Sequence, residues 1–307
     1  MNIKYSIIVC IHNDFSFLHD QILAITNQSY DLSNVEFVII DNASSPSNTA
    51  EIKKVISSFH QIKIKYVFED NIGAQFARNR SIIESSGELL LYLDDDALPH
   101  RDWLIEMVQC YSENNYRVIQ GKIELLYKQP KPPWLSNHLE MLLSKVDLGN
   151  NTQKCNLGFV LCNMAIPRHA FDIAGNWELK IGRKGKILLS GEDSEFVMRL
   201  VGKSNRYEYM YCGKASVSHV VRENRYTKFY HLSRSYWQGV TDGYLKKRFP
   251  HTRKHQKGFI KHLNIGLGSL FLWLYFLVIK NNKQFTYKCR FYSFIGFTYG
   301  FIIFSGI

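Results

Sequence analysis

GELLLYLDDDALP, residues 87–99, decides how the rest of the chain is read. The apolar run Leu89–Leu93 ends abruptly in Asp94, Asp95 and Asp96, and Pro99 closes the segment. A short apolar run bounded by turn residues predicts a buried strand. Three like charges at its end repel one another unless a cation compensates them. Strand alternation puts Asp94 and Asp96 on one face and Asp95 on the other, an arrangement that suits a divalent metal with oxygen ligands. A solvated acidic turn is the competing reading, because Asp also favours turns.

Upstream, the same rhythm repeats. Residues 4–11, KYSIIVCI, form a β-rich run that ends at His12 and Asn13 and is followed by a helical pattern through Phe17, Leu18, Ile22 and Ile25. A second run, 35–40, ends in Asp41 and Asn42, and a helical stretch leads to a third strand at 62–68. Residues 73–86 then read as a helix that feeds the opening strand. Strands alternating with helices predict a doubly wound, mainly parallel sheet flanked by helices. Ligands bind such sheets at the carboxyl ends of the strands, where Asn13, Asp41 and Asp94 would converge. No GxGxxG follows the first strand, which argues against a dinucleotide-binding enzyme, and four units are too few for an eight-stranded barrel.

A chain of 307 residues, 46% hydrophobic and 21% charged, is globular and holds one large domain or two. The net charge of +11 is uneven: from Arg222 onward 15 Lys and Arg face two acids, while the preceding part carries 23 bases against 25 acids. This asymmetry points to a local anionic surface and not to nucleic acid. Six scattered cysteines without a CxxC pair support neither a zinc site nor a disulfide framework. The first residues lack a signal-peptide pattern, so a catalytic part on the cytoplasmic side is expected.

In SGEDSEFVMRLVG, 190–202, Phe196, Val197, Leu200 and Val201 recur at helical spacing, and Glu192 and Asp193 stand at the start. Ser190 with Asp193 is a capping-box pattern, and a helix N-terminus serves capping and catalysis equally well. KASVSHV reads as a short strand delivering His219, a structural residue or a metal ligand. Trp177, in the glycine-punctuated segment 175–185, is a core residue or a platform for a sugar ring.

The densely basic run 246–262 opens a second region, 246–307, after a catalytic domain of 1–245. Two uncharged stretches follow, 263–279 and 291–307, with Lys280, Lys283, Lys288 and Arg290 between them. As helices of 17 residues they reach roughly 25 Å, short of a bilayer core of ~30 Å. The expectation is a hydrophobic helical tail in a shallow or re-entrant hairpin, with the basic clusters on anionic headgroups. A packed helical pair or an oligomer interface is the alternative.

SIIVCIHN, EFVIIDNAS, NIGAQFARNRSI, GELLLYLDDDALPHRDWL and SGEDSEFVMRL, in this order, resemble the family 2 glycosyltransferases of the GT-A fold over about residues 3–240. The resemblance implies an inverting, metal-dependent enzyme that uses a nucleotide sugar. Asp41 and Asn42 match the residues that hold base and ribose, and Arg78 and Asn79 those beside the nucleotide and its phosphates. Asp94 and Asp95 match donor contacts, Asp96 the metal ligand, Asp193 the catalytic base, and Glu192 its support at the acceptor. His219 falls where some members place a further metal contact, and Arg222 and Arg225 match a clamp on the leaving group. Relatives usually end the first strand in Pro-Thr-Tyr-Asn. This chain has Cys10, Ile11, His12 and Asn13, so Ile11 and Asn13 would frame a base stacked on an imidazole. The donor implied is a UDP-sugar with Mn2+ or Mg2+, and the acceptor a lipid-linked or polysaccharide hydroxyl in surface-glycan synthesis, at the cytoplasmic face of the membrane. A sugar nucleotidyltransferase would need a glycine-rich basic loop that 12–20 lacks, and a non-catalytic nucleotide-sugar binder would show no turnover.

Overall fold

The computed structural model of the protein describes residues 4–155, 159–183, 187–250 and 259–304. Its strands are β1 (Tyr5–Ile11), β2 (Val35–Asn42), β3 (Lys63–Glu69), β4 (Leu89–Leu93), β5 (Ala97–Pro99), β6 (Arg117–Tyr127), β7 (Thr152–Lys154), β8 (Asn163–Pro167) and β9 (Glu208–Val221). The helices are α1 (Leu18–Thr26), α2 (Pro46–Ser57), α3 (Ala74–Glu84), α4 (Trp103–Ser112), α5 (Asn137–Glu140), α6 (His169–Ala174), α7 (Glu192–Lys203), α8 (Lys228–Arg248), α9 (Phe259–Val278) and α10 (Lys283–Ile302). They form two compact units. One comprises Met1–Leu126, Val146–Trp177 and Arg199–Val220, the other Tyr127–Lys145, Glu178–Met198 and Val221–Ile307. The division is therefore interleaved along the chain.

In the first unit the strand order is β3-β2-β1-β4-β8-β6-β9-β5, with β7 on β9. The expected parallel sheet is its first half: β1 pairs in parallel with β2 and β4, and β2 with β3. Every residue of β2 and β4 is buried, as central parallel strands covered on both faces require. Ile7, Val9, Phe37, Ile39, Leu91, Trp103 and Met107 belong to its core. Beyond β4 the sheet continues antiparallel, with β8 on β4 and β6, and β5 and β7 on β9. KASVSHV is thus the end of a 14-residue strand and not a short one.

In the second unit α8 and α10 interlock through glycines. A Cβ at Gly239 or Gly243 would overlap the backbone of α10, and one at Gly296 or Gly300 the backbone of α8. The helix axes can approach this closely only because both helices present a Gly-x-x-x-Gly face. The second apolar stretch packs on α8, and α10 starts earlier than expected, taking Lys283, Lys288 and Arg290 into its own turns. On α9 large apolar side chains remain open, including Phe271, Tyr275 and Val278 at 70%, 58% and 80% exposure. No helix among the described residues is long and apolar enough to cross a membrane. Residues 251–258 of the basic run, 184–185 of the glycine-punctuated segment and 305–307 of the tail lie outside the described residues.

Candidate active site

At the carboxyl end of β1, Ile11 is buried in the core. His12 and Asn13 are exposed, and Asn13 adopts φ +60°, a left-handed conformation that Asn tolerates better than most residues. His12 Nδ1 lies 2.6 Å from the Asn42 carbonyl, which can only accept, so this nitrogen carries the proton. The Asn13 N–H donates to Ser44 Oγ, and its Oδ1 accepts from the Ser45 N–H, each at 2.8 Å. The two turns that follow β1 and β2 are thereby locked together.

Asp41, expected at the base and ribose, stands near the end of β2. It is fully buried, and its carboxylate accepts from the Ser44 N–H at 3.0 Å, the Thr49 hydroxyl at 2.8 Å and the Tyr66 hydroxyl at 2.7 Å. These three bonds pin the turn that follows β2. Burial and then this carboxylate hold the Tyr66 phenol well above its usual range. Asn42 also works on the loop: its amide donates to the Asn71 carbonyl at 2.6 Å and its Oδ1 accepts from the Gly73 N–H at 2.8 Å. Asn79 exchanges two hydrogen bonds with the backbone of Trp177, at 3.1 and 2.8 Å. Trp177 itself is 2% exposed, edge-on to Tyr92 and Phe171, and so is a core residue and not a sugar platform. Burial pushes the Cys10 thiol up to about 12, while Arg78 pulls it down and Asp94 and Asp95 push it up.

The three aspartates follow β4 in a turn, so strand alternation does not sort them. Asp94 and Asp95 are half-buried and Asp96 is 1% exposed. The buried amide of Gln21 fixes the turn by donating to the carbonyls of Asp94 and Ala97, each at 2.8 Å. Sheet register supplies the partners. Leu93 opposes Asn163 and Ala97 opposes His219, which brings Cys162 beside Asp94 and His219 beside Asp96. His219 Nε2 lies 2.9 Å from Asp96 Oδ1, both residues being 1% exposed. Ligand atoms of Asp94, Cys162 and His219 also lie within 4.8 Å of one another. Asn163, fully buried and bonded to Trp103 and to the Lys122 and Ala215 carbonyls, holds the segment that carries Cys162. Carboxylate and imidazole donors suit Mn2+ or Mg2+, and the thiol adds affinity for softer cations.

The remaining candidates belong to the second unit. The Glu195 N–H donates to the Gly191 carbonyl, which makes Gly191, at φ +104°, the cap of α7 and leaves Ser190 one residue outside it. Glu192 is buried and Asp193 half-buried in the first turn, where the helix dipole favours a carboxylate. The Thr241 hydroxyl of α8 donates to the Ser190 carbonyl at 2.6 Å, and Arg248 lies 3.5 Å from the buried Glu195, so α8 holds the start of α7 at two points. Arg225 is 9% exposed in the turn Glu223–Tyr226, and its carbonyl lies 3.1 Å from His231 Nε2. Burial and the neighbouring Arg225 pull the Arg222 guanidinium down to about 10. Sequence reasoning missed Cys162 and Arg234. Neither stands in a spacing motif, and Arg234 is one basic residue among many.

A parallel sheet with carboxylates at its strand ends, continued by antiparallel strands that deliver a histidine to them, is the arrangement of the GT-A fold. The family model for glycosyl transferase family 2 matches residues 6–173, and the chain belongs to that family. It is 22% identical over 276 residues to a glucosyl-dolichyl phosphate glucuronosyltransferase of Haloferax volcanii, covering 85% of this chain and 83% of that protein. It is 30% identical over 122 residues to glycosyltransferase AglE of the same organism, a match spanning only 40% of either chain. Among solved structures, a mannosyltransferase from Pyrobaculum calidifontis in complex with GDP-Man and Mn2+ superposes with a TM-score of 0.67 at 14% identity, over 99% of this chain and 88% of that one.

Proposed function

We propose that the protein transfers a sugar from a UDP-sugar to a hydroxyl of a lipid-linked or polysaccharide acceptor, with inversion at the anomeric carbon. The observation that carries this reading is the buried Asp96–His219 contact beside Asp94 and Cys162 at the carboxyl ends of the parallel strands. These residues would hold Mn2+ or Mg2+, whose Lewis acidity stabilises a departing diphosphate without a proton. His12, exposed and fixed by Asn42, presents its ring to the nucleobase, with the β1 and β2 turns framing it. Arg78, whose charge acts on Cys10 together with those of Asp94 and Asp95, offsets phosphate charge. Asp193 takes the proton of the acceptor hydroxyl as that oxygen bonds to the anomeric carbon and the bond to the diphosphate breaks. One base and one displacement give the inverted product.

Asp193→Asn tests the assignment. Transfer should fall by about 10² to 10⁴ while donor affinity stays unchanged. An active variant, or a product of retained configuration, overturns it. The relative bound to GDP-Man makes guanine the competing base; a thermal-shift series of UDP- and GDP-sugars with Mn2+ separates the two. Action at an anionic membrane surface is part of the proposal. Its support is the open apolar face of α9 next to Lys280 and Lys283. Phe271→Asp with Val278→Asp should abolish flotation with anionic vesicles; undiminished flotation removes α9 from that role.

A further inference from the structure

On α8, Arg234 is 9% exposed, yet among the described residues its Nε and Nη1 meet no hydrogen-bond acceptor. A buried guanidinium without an anion is strongly unfavourable, and natural chains rarely keep one without a use for it. Four residues earlier on the same helical face, the Tyr230 hydroxyl is a second buried donor without a partner among the described residues. Seven residues later, Thr241 bonds to Ser190, and Gly191 packs so closely on it that a Cβ would overlap the Thr241 side chain. Arg234 therefore lies on the face of α8 that meets the start of α7, where Asp193 stands. Burial pulls the guanidinium's pKa down and Arg183 adds to this, while Tyr230, Asp193 and Asp242 partly offset it. Arg234 and Tyr230 thus place three buried donor atoms without an acceptor among the described residues on one face of α8.

We propose that Arg234, with Arg183 and the Tyr230 hydroxyl, binds an anionic group of the acceptor, a phosphate or a carboxylate, and so presents the acceptor hydroxyl to Asp193. The assignment of the anion to the acceptor rests on Asp193 being the base; the anion site itself rests on Arg234 alone. The acceptor class is then an acidic glycan or a phosphorylated carrier, not a neutral sugar chain.

The test is titration of the full chain with inorganic phosphate, acetate and UDP, for the wild type, Arg234→Met and Arg234→Lys. Phosphate or acetate should bind the wild type, lose about tenfold or more in affinity in Arg234→Met, and recover in part in Arg234→Lys. Whichever anion binds tells a phosphorylated acceptor from a carboxylated one. UDP affinity should not change. Without ligand, Arg234→Met should be as stable as the wild type or more so, because it removes an uncompensated buried charge. A less stable Arg234→Met with unchanged anion binding makes Arg234 structural and overturns the proposal. A parallel loss of UDP affinity assigns the site to the donor's diphosphate and overturns it as well. If Asp193→Asn still transfers sugar while phosphate binding is intact, the base assignment fails and the anion site stands.

Discussion

Replacing Asp41 by Asn separates a structural carboxylate from a nucleotide-binding one. In the folded protein three donors converge on it, from Ser44, Thr49 and Tyr66, and water does not reach it. An Asn at this position can still accept from the Ser44 N–H with its Oδ1. Its amide can donate to the two hydroxyls, which rotate to accept. The geometry survives and the charge assistance is lost. Hydrogen bonds to charged groups contribute about 1 kcal/mol more than neutral ones, so three bonds amount to ~3 kcal/mol. For a unit of this size that is a fall of roughly 6–12 °C in melting temperature. Asp41→Ala should cost more, since the Tyr66 and Thr49 hydroxyls are left unsatisfied. Urea denaturation measures the loss, and a double-mutant cycle with Tyr66→Phe isolates one bond, with a coupling of about 1 kcal/mol or more. Nucleotide affinity of the folded Asn variant should change little. Wild-type stability together with lost nucleotide binding would refute the reasoning and return Asp41 to direct ligand contact.

Cys162 in the same group as Asp94 and His219 makes the site thiophilic. Cd2+ added to the donor-free protein should give a thiolate-to-metal charge-transfer absorption that Cys162→Ser removes, and an unchanged spectrum in that variant takes the thiol out of the site. In the second unit, Gly296→Ala drives a methyl into the backbone of α8 at Tyr236 and should destabilise the α8–α10 pair by about 1–3 kcal/mol. Faster amide exchange confined to α8 and α10 is the expected readout, and wild-type exchange there contradicts the close approach.

Membership of glycosyltransferase family 2 and the fold it carries were legible because their signals are local. An apolar run that stops at acids, repeated in step with helical patterns, needs only a dozen residues to declare a strand with a polar carboxyl end. Asp94, Asp95 and Asp96 were found this way, and so was the turn at Asn13. The direction of a carboxylate is not local. Asp41 and Asp94 both end strands, but Thr49 and Tyr66 turn the first inward, while the Gln21 amide holds the turn that carries the second.

The sequence by itself determined the alternating strands and helices, the three aspartates after β4 and the acidic start of α7, because periodicity and capping act between residues a few positions apart. Only the tertiary structure decided the antiparallel half of the sheet, the seat of Cys162 beside Asp94, the contact of His219 with Asp96 and the glycine interlock of α8 with α10. These contacts join residues far apart in the chain. They follow from strand register and from how closely two helix backbones approach, and neither is written in the spacing of nearby residues.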